Sequence, residues 1–442
     1  MIRNRLLPYL ACLSGLMFSG ISDHAVGQVP LGQRQPAGSS VRSGLNGLKQ
    51  MVPSIGNSMH QDHQVAQASC TSCGDAGCAD CGAVMMDSGC YDSCSRRTWG
   101  NIEYLMWWQE DARFPSLVTT SPDGTARDDA GVLGSSTALF GGTIDSGTHN
   151  GARLTLGMDW PGGASGIGAT LFALGEETSE FRGSSDTIPI LGRPFFNTAL
   201  NEEDALLLGF PDELSGSVDA LYSTETMGTE VFLRSLYRQQ CNYRLDFIYG
   251  YRYLGHDETL RINNQLTFID PAANTVGTEI SQRDLFGIEN VFHGGELGIM
   301  GHSVDGCWSL DFAAKIALGN MNRMVNIDGS TTTTSGSGLA STVNGGLLTQ
   351  NSNMGKFETD EFTVVPEFTL TLGYALNHCL DFTVGYTLLY VDNVIRADSV
   401  IDRQVNLTQQ TGTLIGDARP AANFTETDLL LQGLNLGLNL KF

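Results

Sequence analysis

The chain closes on LLLQGLNLGLNLKF, residues 429–442. Read in steps of two, Leu434, Leu436, Leu438, Leu440 and Phe442 share one face, and Asn435, Gly437, Asn439 and Lys441 share the other. Such strict alternation predicts a β-strand with one apolar side. Chain ends usually fray unless they are docked, so an apolar strip running to the last residue needs a greasy cover. The same period recurs upstream. In YRLDFIYGYRY, residues 243–253, the odd face is Tyr243, Leu245, Phe247, Tyr249, Tyr251 and Tyr253, while the even face carries Arg244, Asp246 and Arg252. In CWSLDFAAKIALG, residues 307–319, Trp308, Leu310, Phe312, Ala314, Ile316 and Leu318 align on one side and leave Asp311 and Lys315 opposite.

The spacing of these ribbons is asymmetric. Four pairs of alternating segments flank very short turns, at Pro161 to Ser165, Gln239 to Asn242, Ser303 to Cys307 and Asn377 to Cys379. The stretches between pairs are long and polar: Glu110 to His149, Glu176 to Met227, His256 to Glu289, Asn320 to Thr363, and Asp392 to Thr427. Alternating short and long connections are the signature of an outer-membrane barrel, with short turns toward the periplasm and long loops outward. The expected fold is therefore all-β, a transmembrane antiparallel up-and-down barrel. Eight hairpin strands, a first strand at Trp99 and the closing strand make about ten. TLRINNQLTFI and NRMVNIDG are candidates for extra strands that would raise the count to 12 or 14. No apolar run of about 20 residues follows the N-terminal region, so no membrane-spanning helix is expected.

Because a Lys or Arg facing mid-bilayer lipid costs roughly 2–4 kcal/mol, the charged faces are expected to point inward. The lumen-facing candidates are Arg153, Arg244, Asp246, Arg252, Glu296, Asp311, Lys315 and Glu367. Trp107, Trp108, Trp160, Tyr253 and Tyr390 suit the aromatic girdles at the membrane surfaces.

The opening, with Arg3 and Arg5 before an apolar stretch from Leu6 to Phe18, reads as a cleavable export signal over residues 1–27. Residues 28–97 are rich in Gly, Ser and Gln and read as a flexible, Cys-rich periplasmic leader, leaving 98–442 for the barrel. Cys70, Cys73, Cys78, Cys81, Cys90 and Cys94 crowd the leader. Their C-x-x-C units stand too close together for a zinc ribbon, and an exported setting favours disulfides. Cys241, Cys307 and Cys379 each sit beside a short turn, so a rim disulfide, a link to the leader, or three buried thiols are the open alternatives. The formal charge of −23 disfavours nucleic acid as a partner.

Several stretches, among them WGNIEYLMWW (99–108), HGGELGIMG (293–301), WSLDFAAKIALGN (308–320) and FTVVPEFTLTLGYALNHCLDF (362–382), resemble the beta-barrel porin-7 family of outer-membrane proteins. The resemblance runs in order from about Thr98 to Phe442. It implies outer-membrane location and barrel architecture, and it brings no substrate or catalytic residues. The closing strand is also similar to the signal read by the barrel-assembly machinery, with Asn435, Gly437, Leu440 and Phe442 in its places. No Walker loop, G-x-S-x-G elbow, H-E-x-x-H helix or histidine metal spacing is present, so neither a cofactor nor an enzyme is expected. A hydrolase assembled on the outer rim is the weakest alternative. The leading expectation is porin-like passage of small solutes or ions through a polar lumen, narrow or filled by ion pairs at ten strands. The runner-up is a structural or adhesive envelope protein whose acidic loops face outward and whose leader joins another envelope component. Outer-membrane lipid and the assembly machinery are the expected partners.

Overall fold

The computed structural model describes residues 98–442 apart from Cys241, Ala273, Asn274, His378, Gly412 and Phe442. The expected signal, the expected leader with its six cysteines, and Phe442, the last position of the expected assembly motif, lie outside the described residues.

Ten long strands build the wall: β1 (Thr98–Gln109), β4 (His149–Asp159), β5 (Ser165–Ser184), β8 (Leu214–Gln239), β9 (Tyr243–Phe268), β10 (Glu279–Asp305), β11 (Trp308–Thr334), β13 (Gly355–Asn377), β14 (Leu380–Ile395) and β16 (Glu426–Lys441). Each pairs antiparallel with its neighbours in chain order, and β1 pairs with β16 from Trp99↔Lys441 to Gln109↔Leu431, closing the cylinder. Ten is the final count. TLRINNQLTFI and NRMVNIDG are the far ends of β9 and β11 and add no spans.

Much of the sequence expected as loop is strand. Strands β8 to β11 run 26 or 27 residues, whereas crossing the apolar layer takes only about 9–11. The reason lies in a reversal of parity along one strand. On the lower part of β9 the outward side chains Phe247, Tyr249 and Tyr251 are apolar and exposed, and the inward Asp246 and Arg252 are buried. Higher up, the inward side chains Leu260, Ile262 and Leu266 are the buried apolar ones, while Thr259, Arg261, Asn263 and Gln265 point outward. The lower cylinder is thus a membrane barrel, greasy outside, and the upper cylinder is a water-facing barrel, greasy inside. The outer apolar belt is completed by Leu297 and Ile299, Leu310 and Ile316, Leu370 and Leu372, Phe382 and Val384, and Leu438 and Leu440. At these residues lipid removes the apolar surface that a second protein layer would otherwise cover.

The upper cylinder is filled by the remaining strands: β2 (Ala112–Thr120), β3 (Thr137–Ile144), β6 (Leu191–Asn197), β7 (Glu202–Gly209) and β15 (Gln404–Val405). They form a second sheet in the order β15-β6-β2-β3, with β7 on β6. The short β12 (Ala340–Asn344) extends the barrel sheet beside β11, and α1 (Ala397–Val400) and α2 (Thr408–Thr411) lie in the last long connection. Phe114, Leu117, Phe195 and Leu208 of the second sheet share one apolar core with Tyr222, Ile262, Phe286 and Ile327 of the wall.

At the lower end the turns are tight. Asp305 pairs with Trp308, leaving Gly306 and Cys307 as the whole loop, and Gly306 adopts φ 62, where glycine carries no Cβ penalty. Inside the barrel, glycine makes room for rings. Gly168 pairs with Phe232 and Gly228 with Phe172 across β5 and β8, and a Cβ on either would stand 2.5 or 2.2 Å from the opposing ring.

Candidate functional site

The inward faces of the lower cylinder converge on one ionic cluster. Strand pairing delivers its members from all sides: Glu103 on β1 opposite Arg153 on β4, Glu230 on β8 opposite Arg252 on β9, and Lys315 on β11 opposite Glu367 on β13. Arg252 reaches Glu296 at 2.7 Å and also contacts Glu230 and Glu367. Lys315 Nζ lies 2.6 Å from Glu230, and Arg153 Nε lies 2.5 Å from Glu103. Every member but the half-buried Lys315 is buried; Arg252 is 3% exposed and Glu296 2%. Three cations thus face four carboxylates. Asn435 extends the network by accepting from Trp107 Nε1 and donating to Thr387 Oγ1, both at 2.8 Å.

Of the lumen candidates, Arg153, Arg252, Glu296, Lys315 and Glu367 meet in this cluster. Arg244 and Asp246 pair with each other below it, and Asp311 pairs with His302. These pairs line a vestibule of about 360 Å3 on the short-turn side, together with Trp99, Phe232, Arg234 and Lys441. Glu103 and Glu230 belong to the cluster but were not among the candidates. Their even spacing, Glu103 from Leu105 and Trp107 and Glu230 from Phe232, carries the signal for both. Gly437 faces the lumen, where a Cβ would stand 2.8 Å from Glu103, and Leu440 faces outward on the belt. Cys307 and Cys379 are free and exposed on the short turns, so neither is a buried thiol.

Directly above the cluster the lumen turns apolar. Leu105, Trp107, Phe172, Leu254, Phe292 and Met321 pack together in its cross-section. Trp107, expected in a girdle, is 1% exposed and points inward, because β1 gives its outward positions to Ile102 and Tyr104. Still higher stands the filled upper cylinder, held by two buried polar latches. Arg193 of β6 reaches Asp284 of β10 at 2.7 Å and Asn264 of β9 at 2.7 Å, and Asp284 also accepts the backbone N–H groups of Leu348 and Thr349. Glu258, on β9 above the belt, contacts Arg396 Nε at 3.0 Å and accepts from Ala397 N at 2.7 Å. Burial pushes the Glu258 carboxyl up. The hydrogen bond from His256 and the charge of Arg396 outweigh it and hold the group down to about 2.

Thr226 lies 2.8 Å from His256 Nδ1, and His256 Nε2 lies 3.2 Å from Glu258. A hydroxyl, an imidazole and a carboxylate in this order resemble a nucleophile relay. Here all three are at most 2% exposed, and the carboxylate is already engaged by Arg396. The chain of bonds fixes the latch and presents no hydroxyl to a substrate.

Residues 99–442 match the family model described as "Putative beta barrel porin-7". No curated protein matches the chain in sequence. Among solved structures it is similar to the outer membrane protease OmpT of Escherichia coli, at 8% identity over 78% of this chain and 97% of that one, with a TM-score of 0.38. It is also similar to a FadL homologue of Pseudomonas aeruginosa, at 9% identity, 78% and 90% coverage and a TM-score of 0.22.

Proposed function

Since the chain belongs to the beta-barrel porin-7 family and resides in the outer membrane, we propose that it serves as a closed membrane anchor that carries a sealed barrel head at the cell surface. One observation carries this reading: the lumen is filled without a break by the ionic cluster, the apolar layer and the second sheet. A hydrated ion entering from either end meets desolvated, mutually paired side chains, and in a ten-stranded wall there is little width to go round them. The role is structural, and passage through the resting barrel is not part of it. Planar-bilayer recording tests this. Purified protein inserted into the bilayer should give no unitary current at any applied voltage, and reproducible conductance steps would refute the reading.

A gated porin-like passage is the second reading. It is favoured by the vestibule, whose lining of paired acidic and basic side chains ends directly on the cluster. If the cluster is a gate, an Arg252→Met barrel conducts where the parent is silent.

A further inference from the structure

We propose that the outer wall of the upper cylinder carries a binding cleft for a polysaccharide chain. The cleft, about 650 Å3, lies on the solvent side of β5, β8, β9, β10 and β11. Strand register sets its floor in two straight rows. Arg182 pairs with Asp219, Asp219 with Asn263, Asn263 with Arg283, and Arg283 with Ser330. One step higher, Ser184, Ser217, Gln265, Ser281 and Thr332 make the parallel row by the same pairings. The edge strand β12 prolongs both with Asn344 and Thr342.

The composition of these rows departs from that of a solvated sheet face. The chain holds 48 acidic residues against 25 Lys and Arg, yet the ten floor positions hold two Arg, one Asp and otherwise amides and hydroxyls. No Lys, Glu or apolar residue interrupts them. The amides of Asn263 and Gln265 bond to no other side chain among the described residues, and Asp219 Oδ1 is buried without a protein partner although Oδ2 accepts from Arg182 at 3.0 Å. The unpaired amides of Asn263 and Gln265, set among the Arg182–Asp219 and Arg283–Asp328 ion pairs, offer paired donors and acceptors, the complement of vicinal sugar hydroxyls. Strands about 4.8 Å apart repeat that offer at a spacing comparable with one sugar residue, so a glycan lying across the strands meets a fresh polar pair at each ring. The volume falls within the range of about 300–1,000 Å3 usual for ligand clefts.

Position excludes a lipid headgroup as the occupant. Asn263 stands ten residues beyond Tyr253 on β9, which at about 3.4 Å per residue and a tilt of about 40° is roughly 25 Å above the apolar belt. That is the level of surface polysaccharide, either the outer sugars of lipopolysaccharide or a secreted polymer. With no aromatic platform in the floor, each contact is weak and a chain engages by many at once. The inference is independent of the closed-lumen reading, since a conducting barrel would keep the same outer wall.

The test is calorimetric titration of the detergent-purified protein with smooth lipopolysaccharide, its delipidated O-chain, neutral dextran and uronate-bearing alginate. Saturable binding to at least one of the three lipid-free polymers is expected, falling at least tenfold in the Asn263→Leu/Gln265→Leu variant while the folded, heat-modifiable band is retained. Binding to the O-chain assigns the lipopolysaccharide source, and binding to dextran or alginate assigns a secreted polymer. Should the variant fail to fold, Arg283→Ala and Ser281→Ala at the exposed surface repeat the comparison. No binding to any of the three lipid-free polymers, or equal binding by folded variants and parent, overturns the proposal.

Discussion

Replacing Arg252 by methionine removes the central cation of the lumen while nearly preserving its volume. The guanidinium stands 2.7 Å from Glu296 and also contacts Glu230 and Glu367. At an effective dielectric of about 20, one unit pair at that distance attracts by roughly 6 kcal/mol, and most of this offsets the desolvation of both ions. What remains decisive is the asymmetry of removal. Truncating one partner of a buried pair typically costs about 3–5 kcal/mol because the abandoned charge stays buried, and here three carboxylates lose the same partner. Arg153 and Lys315 would then face Glu103, Glu230, Glu296 and Glu367 with two negative charges uncompensated. The temperature at which the barrel loses SDS resistance should fall by roughly 5–15 °C, taking a few degrees per kcal/mol. Glu296→Gln is the control, because it removes the one surplus carboxylate charge and keeps an acceptor for Arg252. It should stay within about 1 kcal/mol of the parent. If Arg252→Met melts with the parent, or if Glu296→Gln is equally damaging, the cluster is not what closes and braces the lumen.

The Glu258 latch predicts an acid dependence confined to the head. Its carboxyl is held to about 2 from an ordinary 4.5, so its contribution is complete above the ordinary value and is lost as pH falls toward 2; it is about 3 kcal/mol at about 1.4 per unit. Protease sensitivity of residues 397–405 should rise over that window in the parent and be high and pH-independent in Glu258→Gln; a parent insensitive to pH between 5 and 2 would contradict the latch. Phe286→Ala, in the core shared by wall and second sheet, should cost about 3–5 kcal/mol of head stability, read by hydrogen exchange of β10 above Glu289, with the membrane half still resisting SDS. For topology, a bulky maleimide should leave Cys307 and Cys379 unlabelled in intact cells and label them once the outer membrane is opened; labelling of intact cells would invert the barrel.

The membrane half was legible because one rule governs it. From Phe247 to Tyr251, from Leu310 to Leu318 and from Leu434 to Leu440 the apolar parity is constant, and lipid accepts any greasy side chain without asking for a particular partner. The upper half obeys the opposite parity, and the change of sign on β9 between Tyr251 and Leu260 makes the composite stretch look merely polar when it is scored as a whole. Scored residue by residue, Leu260, Ile262 and Leu266 keep a period of two broken only by the inward Asn264, and Phe286 and Ile288 keep it too. The strands were therefore written in the sequence, and it was the assumption of one solvent per strand that hid them. The site divides along the same line. Arg153, Arg252, Glu296, Lys315 and Glu367 could be assigned to the lumen individually from alternation. Their assembly into one closed cluster depends on register between strands up to hundreds of residues apart, as between Trp107 and Asn435, and periodicity within a strand carries no information on that register. The second sheet was hidden for a further reason. Its strands are short, and although β6 and β7 form a local hairpin, β2 reaches β6 across some seventy residues and β15 joins β6 in parallel across some two hundred, so nothing local announces the sheet as a whole. The apolar interior of the upper wall foretells it nonetheless, because a cylinder greasy within and wet without can stand only around a core.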